Sequence, residues 1–348
     1  MPLSARELPH TDPTPIFELF RGSYGAELLT AAVAHFDIFR RLADGPLHEE
    51  TLGEQLQLAP RARVVLLTAL KAMDLLRLSE QQEIELTDLA REHLAPGGAF
   101  DVGDYVGLAA ASAGVLEMVE RLRSNRPAGS DDAAGAAFIY RDGIKSAMEQ
   151  EATARHFTLA LAGRAKNVAP VLAERLSLEG VDRLLDVGGG TGIYSIALLQ
   201  RHPQLQAVVY DRPEVLKVAS EMAAAYGVAD RLQCSPGDMF RDPLPGDCQA
   251  VLLSNVLHDW DVPQCQALLD RCADVLPAGG RVLIHDVFLS DALDGPLPIA
   301  LYSAALFTLT EGRAYSAAEF AAMLHAAGLT AGAITPTLVH CGVLAATK

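Results

Sequence analysis

Leu184-Leu-Asp-Val-Gly-Gly-Gly-Thr-Gly192 carries a short apolar run straight into a turn in which four of five residues are glycine, and Ile193–Gln200 then has helical spacing. Glycines are needed where a backbone leaves a buried strand by a tight turn and lies against a ligand with no Cβ in the way. The spacing predicts a strand at Arg183–Val187, a ligand-facing turn and a helix. A second strand, Ala207–Tyr210, is followed by Asp211, 23 residues after Gly188. A carboxylate at that place can accept from both ribose hydroxyls of an adenosyl group.

Taken alone, this pattern fits either a nicotinamide cofactor or S-adenosylmethionine. A dinucleotide fingerprint starting at Gly188 would put Gly or Ala at position 193, where this chain has Ile193, so a pyrophosphate pocket is disfavoured. Further strands are predicted at Ala250–Ser254 and Arg281–Asp286, with a β-rich end near Leu338–Ala346 and helices between. That alternation calls for a doubly wound, mostly parallel sheet. Gly237-Asp238-Met239-Phe240, after a third strand region, suits adenine: the acid accepts from the exocyclic amine and Met239 packs on the ring. Ligands in such sheets sit beyond the carboxyl ends of the strands. His258, just past Ser254, therefore faces the same crevice, and so does Asp286, preceded by His285 at the end of the next strand. One ring nitrogen turned to a substrate and the other held by an acid is what a general base requires. Trp260, the only tryptophan, is placed to lie against the adenine.

The first hundred residues read differently. Ile16–Arg41 has the three-to-four apolar spacing of a helix that bends or breaks, and Glu50–Leu56 and Pro60–Leu76 read as two more helices. Leu78–Leu86 alternates around a polar tip as a hairpin does. Helix, helix, helix, hairpin is a winged-helix order. The expected division is 1–100, a winged-helix-like domain; 101–176, a helical connector; and 177–348, the cofactor domain. In 348 residues, 28 basic against 44 acidic side chains give a net charge of −16, which argues against nucleic acid or an anionic membrane as partner. Residues 1–100 alone hold 15 acids against 9 bases, a net −6. Five cysteines (Cys234, Cys248, Cys265, Cys272, Cys341) show no C-x-x-C spacing and lie in or beside apolar runs, as buried thiols of a reducing compartment do. No apolar signal run occurs in Met1–Pro15, and Thr68, Lys71 and Asp74 interrupt Val64–Leu76, so a cytoplasmic protein is expected.

In this order and spacing, Asp-Val-Gly-Gly-Gly-Thr-Gly192, Tyr-Asp-Arg-Pro213, Gly-Asp-Met-Phe240 and Leu-His-Asp-Trp260 resemble the small-molecule O-methyltransferases of the plant caffeate type and their bacterial natural-product relatives. The resemblance covers nearly the whole chain. It implies a Rossmann-like, doubly wound α/β class I methyltransferase domain preceded by a mainly helical, winged-helix-like domain that makes a homodimer. It implies S-adenosylmethionine held by Gly188, Gly190, Asp211, Arg212, Asp238 and Met239, with Ser254 and Trp260 near it, and S-adenosylhomocysteine as product. His258 would be the base and Asp286 the acid that orients it, with no metal. Acceptor contacts are expected from Met148, Phe157, Leu161, Tyr302 and Phe307.

Three departures matter. Arg212 stands where the family has an apolar residue, Ser254 where plant members carry Lys, and Ala314 where a second supporting acid belongs. Glu311 is the acid nearest in sequence that can replace it. Cofactor motifs do not read the acceptor atom, so transfer to carbon or nitrogen remains open. A winged-helix regulator that senses S-adenosylmethionine is a third reading, in which Arg61, Arg63 and Lys71 would face DNA.

Overall fold

Buried strands with both faces covered read as continuous apolar runs, and those runs form the centre of the sheet. A computed structural model describes residues 2–126 and 151–348, and for 151–154, 156 and 157 the backbone alone. In chain order the strands are β1 (Leu76–Leu78), β2 (Ile84–Leu86), β3 (Arg183–Val187), β4 (Gln206–Asp211), β5 (Leu232–Pro236), β6 (Ala250–Ser254), β7 (Arg281–Leu289), β8 (Tyr315–Ser316), β9 (Thr330–Pro336) and β10 (Cys341–Thr347). The main sheet follows the order β5-β4-β3-β6-β7-β10-β9. Its first five strands are parallel, and β10 runs antiparallel between β7 and β9. Every residue of β6 is buried, as are Leu184 to Val187 of β3. Chain order reverses between β3 and β6, which opens a crevice at their carboxyl ends.

Two compact units divide the chain: Met1–Phe17, Arg141–Phe288 and Ala317–Lys348 in one, Glu18–Tyr140 and Leu289–Ser316 in the other. The first holds the sheet. Helix Glu151–Arg175 packs against helices Ile193–Arg201 and Pro213–Ala225 of the same unit. Its N-terminal strap is tied on by backbone, with Leu3 N donating to Ala225 O at 3.0 Å and Ala5 N to Gln200 Oε1 at 2.8 Å.

The second unit is built on helices Gly25–Ala34, Ile38–Ala43, Glu49–Leu56 and Pro60–Ala72 with the β1–β2 hairpin. Its core includes Leu28, Phe39, Leu52, Leu66 and Phe307. Helix Leu297–Leu309 is apolar on nearly every side and packs on Pro60–Ala72, so it needs this core around it.

These units differ from the expected division. Residues 289–316 join the N-terminal helices, residues 1–17 join the sheet unit, and the expected connector is split between the two. The predicted helix over 16–41 is broken into Thr14–Arg21, a 3-10 turn at Gly22–Tyr24, Gly25–Ala34 and Ile38–Ala43, with Asp37 left-handed at φ 52°. Pro60–Leu76 is shorter as a helix and stops at Ala72, because Asp74 takes φ 60° and the hairpin starts at Leu76. No helix among the described residues is long and apolar enough to cross a membrane.

Candidate active site

The turn after β3 shows why glycine recurs there. Gly188, Gly190 and Gly192 all have positive φ (68°, 59° and 69°), a region that favours glycine. A Cβ on Gly188 would lie 2.9 Å from Val256 Cγ2, and one on Gly189 would lie 2.7 Å from the carboxyl carbon of Asp186. Gly190 is the exception: nothing lies within 4 Å of its Cβ position, so its bare backbone faces open space. Behind the turn, Asp186 is fully buried and accepts from Ser195 Oγ at 2.6 Å. Burial pushes its carboxyl up to about 7.

Asp211 ends β4 beside that turn. Its Oδ2 accepts from Gly190 N at 2.9 Å and its Oδ1 from Arg212 N at 2.7 Å. Burial raises its carboxyl, opposed by those two N–H groups and by the Arg212 charge. Each bond uses one lone pair per oxygen and leaves another for a ligand hydroxyl. An open glycine backbone beside a carboxylate with spare acceptor capacity fits an adenosyl group. Past β5, Asp238 Oδ1 accepts from Phe240 N at 2.8 Å and Tyr210 Oη donates to Asp238 O at 3.3 Å. Met239 is half-buried, and Phe240 meets Trp260 edge-on with ring centroids 4.7 Å apart.

His258 lies in the 3-10 turn Leu257–Asp259 that follows β6. Ser254, the last residue of β6, pairs with His285 inside β7, which runs on to Leu289 instead of ending at Asp286 as expected, so the turn after β6 reaches Asp286 within the strand. His258 Nδ1 is 2.6 Å from Asp286 Oδ1, and the same oxygen accepts from Val287 N at 2.8 Å. Both members of the pair are buried. Burial favours the neutral ring, but the carboxylates of Asp286 and Asp259 outweigh it and raise the imidazole above its ordinary range. Asp259 Oδ1 lies 3.7 Å from His258 Nε2, and burial pushes its carboxyl up to about 7.

Strand alternation turns His285 to the face opposite Asp286. There it is hydrogen-bonded to Ser254 Oγ (2.8 Å) and Thr337 Oγ1 (3.2 Å), with Tyr194 edge-on at 5.0 Å. Asn255, left-handed at φ 56°, donates to Ser254 Oγ at 3.1 Å and accepts from Arg164 Nη1 at 2.7 Å. Arg164 Nη2 also reaches Cys341 Sγ at 2.7 Å. Burial, reinforced by Arg164, pulls His285 down to about 3. Sequence reasoning missed this polar layer. Its one signal was the pair Ser254-Asn255, a serine that ends a wholly buried strand and an asparagine directly after it.

The sheet unit thus contains Gly188, Gly190, Asp211, Arg212, Asp238, Met239, Ser254, His258, Trp260 and Asp286. Leu161 belongs to the same unit and is largely exposed on helix Glu151–Arg175. Tyr302, Phe307 and Glu311 belong to the other unit. Phe307 is a core residue there, fully buried with the Arg61 guanidinium over its ring at 4.5 Å, because its helix is enclosed on nearly all sides. Tyr302 is half-buried under the Arg21 guanidinium at 4.1 Å. Glu311 sits between Thr310 and Gly312, whose carbonyls both accept from Arg61 Nη1 (3.1 and 3.3 Å). Ala314 is fully buried. Met148 and the Phe157 side chain lie outside the described residues. Of the cations weighed for DNA, Arg61 and Lys71 are buried and Arg63 pairs with Glu49 at 3.2 Å.

A family model described as an O-methyltransferase domain matches residues 126–330. A 3-hydroxy-5-methyl-1-naphthoate 3-O-methyltransferase from Streptomyces sahachiroi is 34% identical over 91% of this chain and 89% of its own. An L-tyrosine C(3)-methyltransferase from Streptomyces lavendulae is 30% identical over 94% and 90%. Among solved structures, an O-methyltransferase family 2 protein from Planctomyces limnophilus, in complex with apigenin, is 46% identical with a TM-score of 0.88 over 99% of both chains. With the family model spanning more than half of the sequence, the chain belongs to this O-methyltransferase family and is an S-adenosylmethionine-dependent O-methyltransferase.

Proposed function

We propose that the protein methylates a phenolic hydroxyl of a small aromatic acceptor, with His258 as general base. The observation that carries this reading is the 2.6 Å contact between His258 Nδ1, in the turn after β6, and Asp286 Oδ1, within β7. S-adenosylmethionine supplies an electrophilic sulfonium methyl when bound. The chain's own part is to hold it, with Asp211 on the ribose, Gly188 and Gly190 leaving backbone bare, and Asp238 and Met239 at the adenine. A phenol titrates near about 10, so its proton must be taken at neutral pH, and Nε2 of an imidazole anchored through Nδ1 can take it. Alignment of acceptor and methyl can supply roughly 7–11 kcal/mol of the barrier. The naphthoate relative and the apigenin complex both favour a hydroxylated aromatic ring.

The tyrosine C(3)-methyltransferase supports a second reading, because the phenolate that His258 would generate is nucleophilic at its ortho carbon as well as at oxygen. Apigenin and hydroxynaphthoates incubated with S-adenosylmethionine, with mass and NMR readout, separate the two. An O-methyl product supports the proposal, and a ring C-methyl product replaces it. Homodimerisation belongs to the same proposal. In helix Thr14–Arg21 the side chains of Leu19 and Phe20 are 82% and 80% exposed, an apolar face suited to a second copy of the chain.

A further inference from the structure

His258 has a carboxylate beside each ring nitrogen. Asp286 Oδ1 lies 2.6 Å from Nδ1, and Asp259 Oδ1 lies 3.7 Å from Nε2. The first distance is a short hydrogen bond, which puts a proton on Nδ1 and leaves Nε2 as the lone-pair nitrogen. The second is too long for a hydrogen bond and acts through charge alone. It falls on the nitrogen that has to receive the acceptor's proton. We infer that Asp259 is a second acid for this reaction, a tuning residue whose carboxylate stabilises the imidazolium formed at His258. The inference rests on the reading of His258 as base.

In the step concerned, the acceptor O–H bond breaks, its proton goes to Nε2, and the oxygen keeps the electron pair. The imidazole gains a positive charge as the oxygen gains a negative one. Two carboxylates close to the ring favour that charge separation, whereas burial opposes it. The charged groups facing His258 are Asp286 from β7, Asp259 from its own turn and Arg164 from helix Glu151–Arg175, the last opposing the other two. Asp259 is held in place by its turn: its N–H donates to Val256 O at 3.2 Å, and Cys265 Sγ bonds the carbonyls of Leu257 and Trp260 at 3.1 and 3.3 Å. Ala314 has no carboxylate to offer. The two aspartates also differ in setting. Asp286 is 1% exposed and fixed by Val287 N, whereas Asp259 is 13% exposed and makes its charged contact with the ring. Asp286 thus orients the imidazole, and Asp259 adjusts its basicity. Burial pushes the Asp259 carboxyl up to about 7, and the Asp259 and Asp286 carboxylates raise the imidazole against its burial.

The test is an NMR titration of ¹³C-histidine-labelled protein with S-adenosylhomocysteine bound, the His258 signal being assigned from its loss in His258→Gln. In Asp259→Asn the His258 midpoint should fall by on the order of one pH unit, since an anion beside the cationic ring is gone. Asp259→Glu should restore most of the shift. An unchanged midpoint in Asp259→Asn overturns the inference. Loss of S-adenosylhomocysteine binding in that variant also overturns it, because Asp259 would then be structural. Normal turnover in His258→Ala would defeat the base reading instead, through a measurement that does not involve Asp259.

Discussion

Replacing His258 with alanine removes the proposed base and strips Asp286 of its shortest bond. Turnover should fall by about 10²–10⁴-fold, the usual contribution of a positioned general base. The structure shapes the rest of the pattern. Asp286 is 1% exposed, and of its hydrogen bonds to His258 Nδ1 and Val287 N only the second survives in the variant. A charge-assisted bond lost from a buried site costs about 1.5–3 kcal/mol, so the variant should melt several degrees lower and must be assayed well below its transition. S-adenosylhomocysteine affinity, measured by calorimetry, should change little, because the proposed cofactor residues Gly190, Asp211 and Asp238 are untouched. Asp286→Ala should lose less activity than His258→Ala, since the imidazole stays and Asp259 still neighbours it. If the pair acts as one unit, the double variant should be no slower than His258→Ala. The raised imidazole gives the pH dependence its sign: the base is blocked by protonation below its pKa, so kcat/KM should fall as pH drops through a point above the ordinary histidine range. High pH should partly rescue His258→Ala on a phenol. Near-normal turnover in His258→Ala at neutral pH, with the product confirmed by mass, would refute the reasoning.

Three further outcomes follow from other residues. Asp211→Ala should weaken S-adenosylhomocysteine binding by at least tenfold in calorimetry, as charged acceptors are worth about 1.5–3 kcal/mol per bond; unchanged affinity would put the ribose elsewhere. His285, pulled down to about 3, stays neutral in the folded chain while the unfolded chain takes a proton below about 6.5, so its contribution to stability is full above that pH and is lost as pH falls. His285→Gln should therefore be less acid-sensitive than the parent, with a differential of about 2 kcal/mol at pH 5 in denaturant titrations, and parallel pH curves would count against the depressed value. Light scattering at micromolar concentration should give twice 37.0 kDa for the parent chain and a smaller mass for the Leu19→Glu, Phe20→Glu double variant; a monomeric parent would remove the proposed interface.

The cofactor half of the molecule was legible because its signals are local. A glycine turn, the acid at the end of the next strand and the apolar run Ala250–Leu253 each constrain a few consecutive residues, and β3 and β6 fall where the spacing puts them. The N-terminal half was less legible because its breaks depend on local turns within continuous apolar periodicity. A 3-10 turn interrupts it at Gly22–Tyr24, left-handed Asp37 separates Gly25–Ala34 from Ile38–Ala43, and left-handed Asp74 follows the end of Pro60–Ala72. The division into units was hidden for a different reason. Leu297–Leu309 reads as one more crossover helix by position, and only its lack of a polar face says that it needs a core on all sides. The site follows the same rule. Asp286 could be paired with His258 from strand order, since β6 and β7 are neighbours, although β7 runs on past Asp286 to Leu289 and the pair forms within it. The layer of Arg164, Asn255, His285 and Thr337 joins residues 52 to 91 positions apart, and no period or motif links them. Its chemistry still bears on the base. Burial and the Arg164 cation hold the His258 imidazole down while Asp286 and Asp259 raise it, and of these three charges only Asp286 was visible as a partner in the sequence. Ala314 becomes intelligible in that setting. On the proposed reading, the acid that this position lacks need not come from Glu311, because Asp259, the residue after His258, already places a carboxylate 3.7 Å from Nε2.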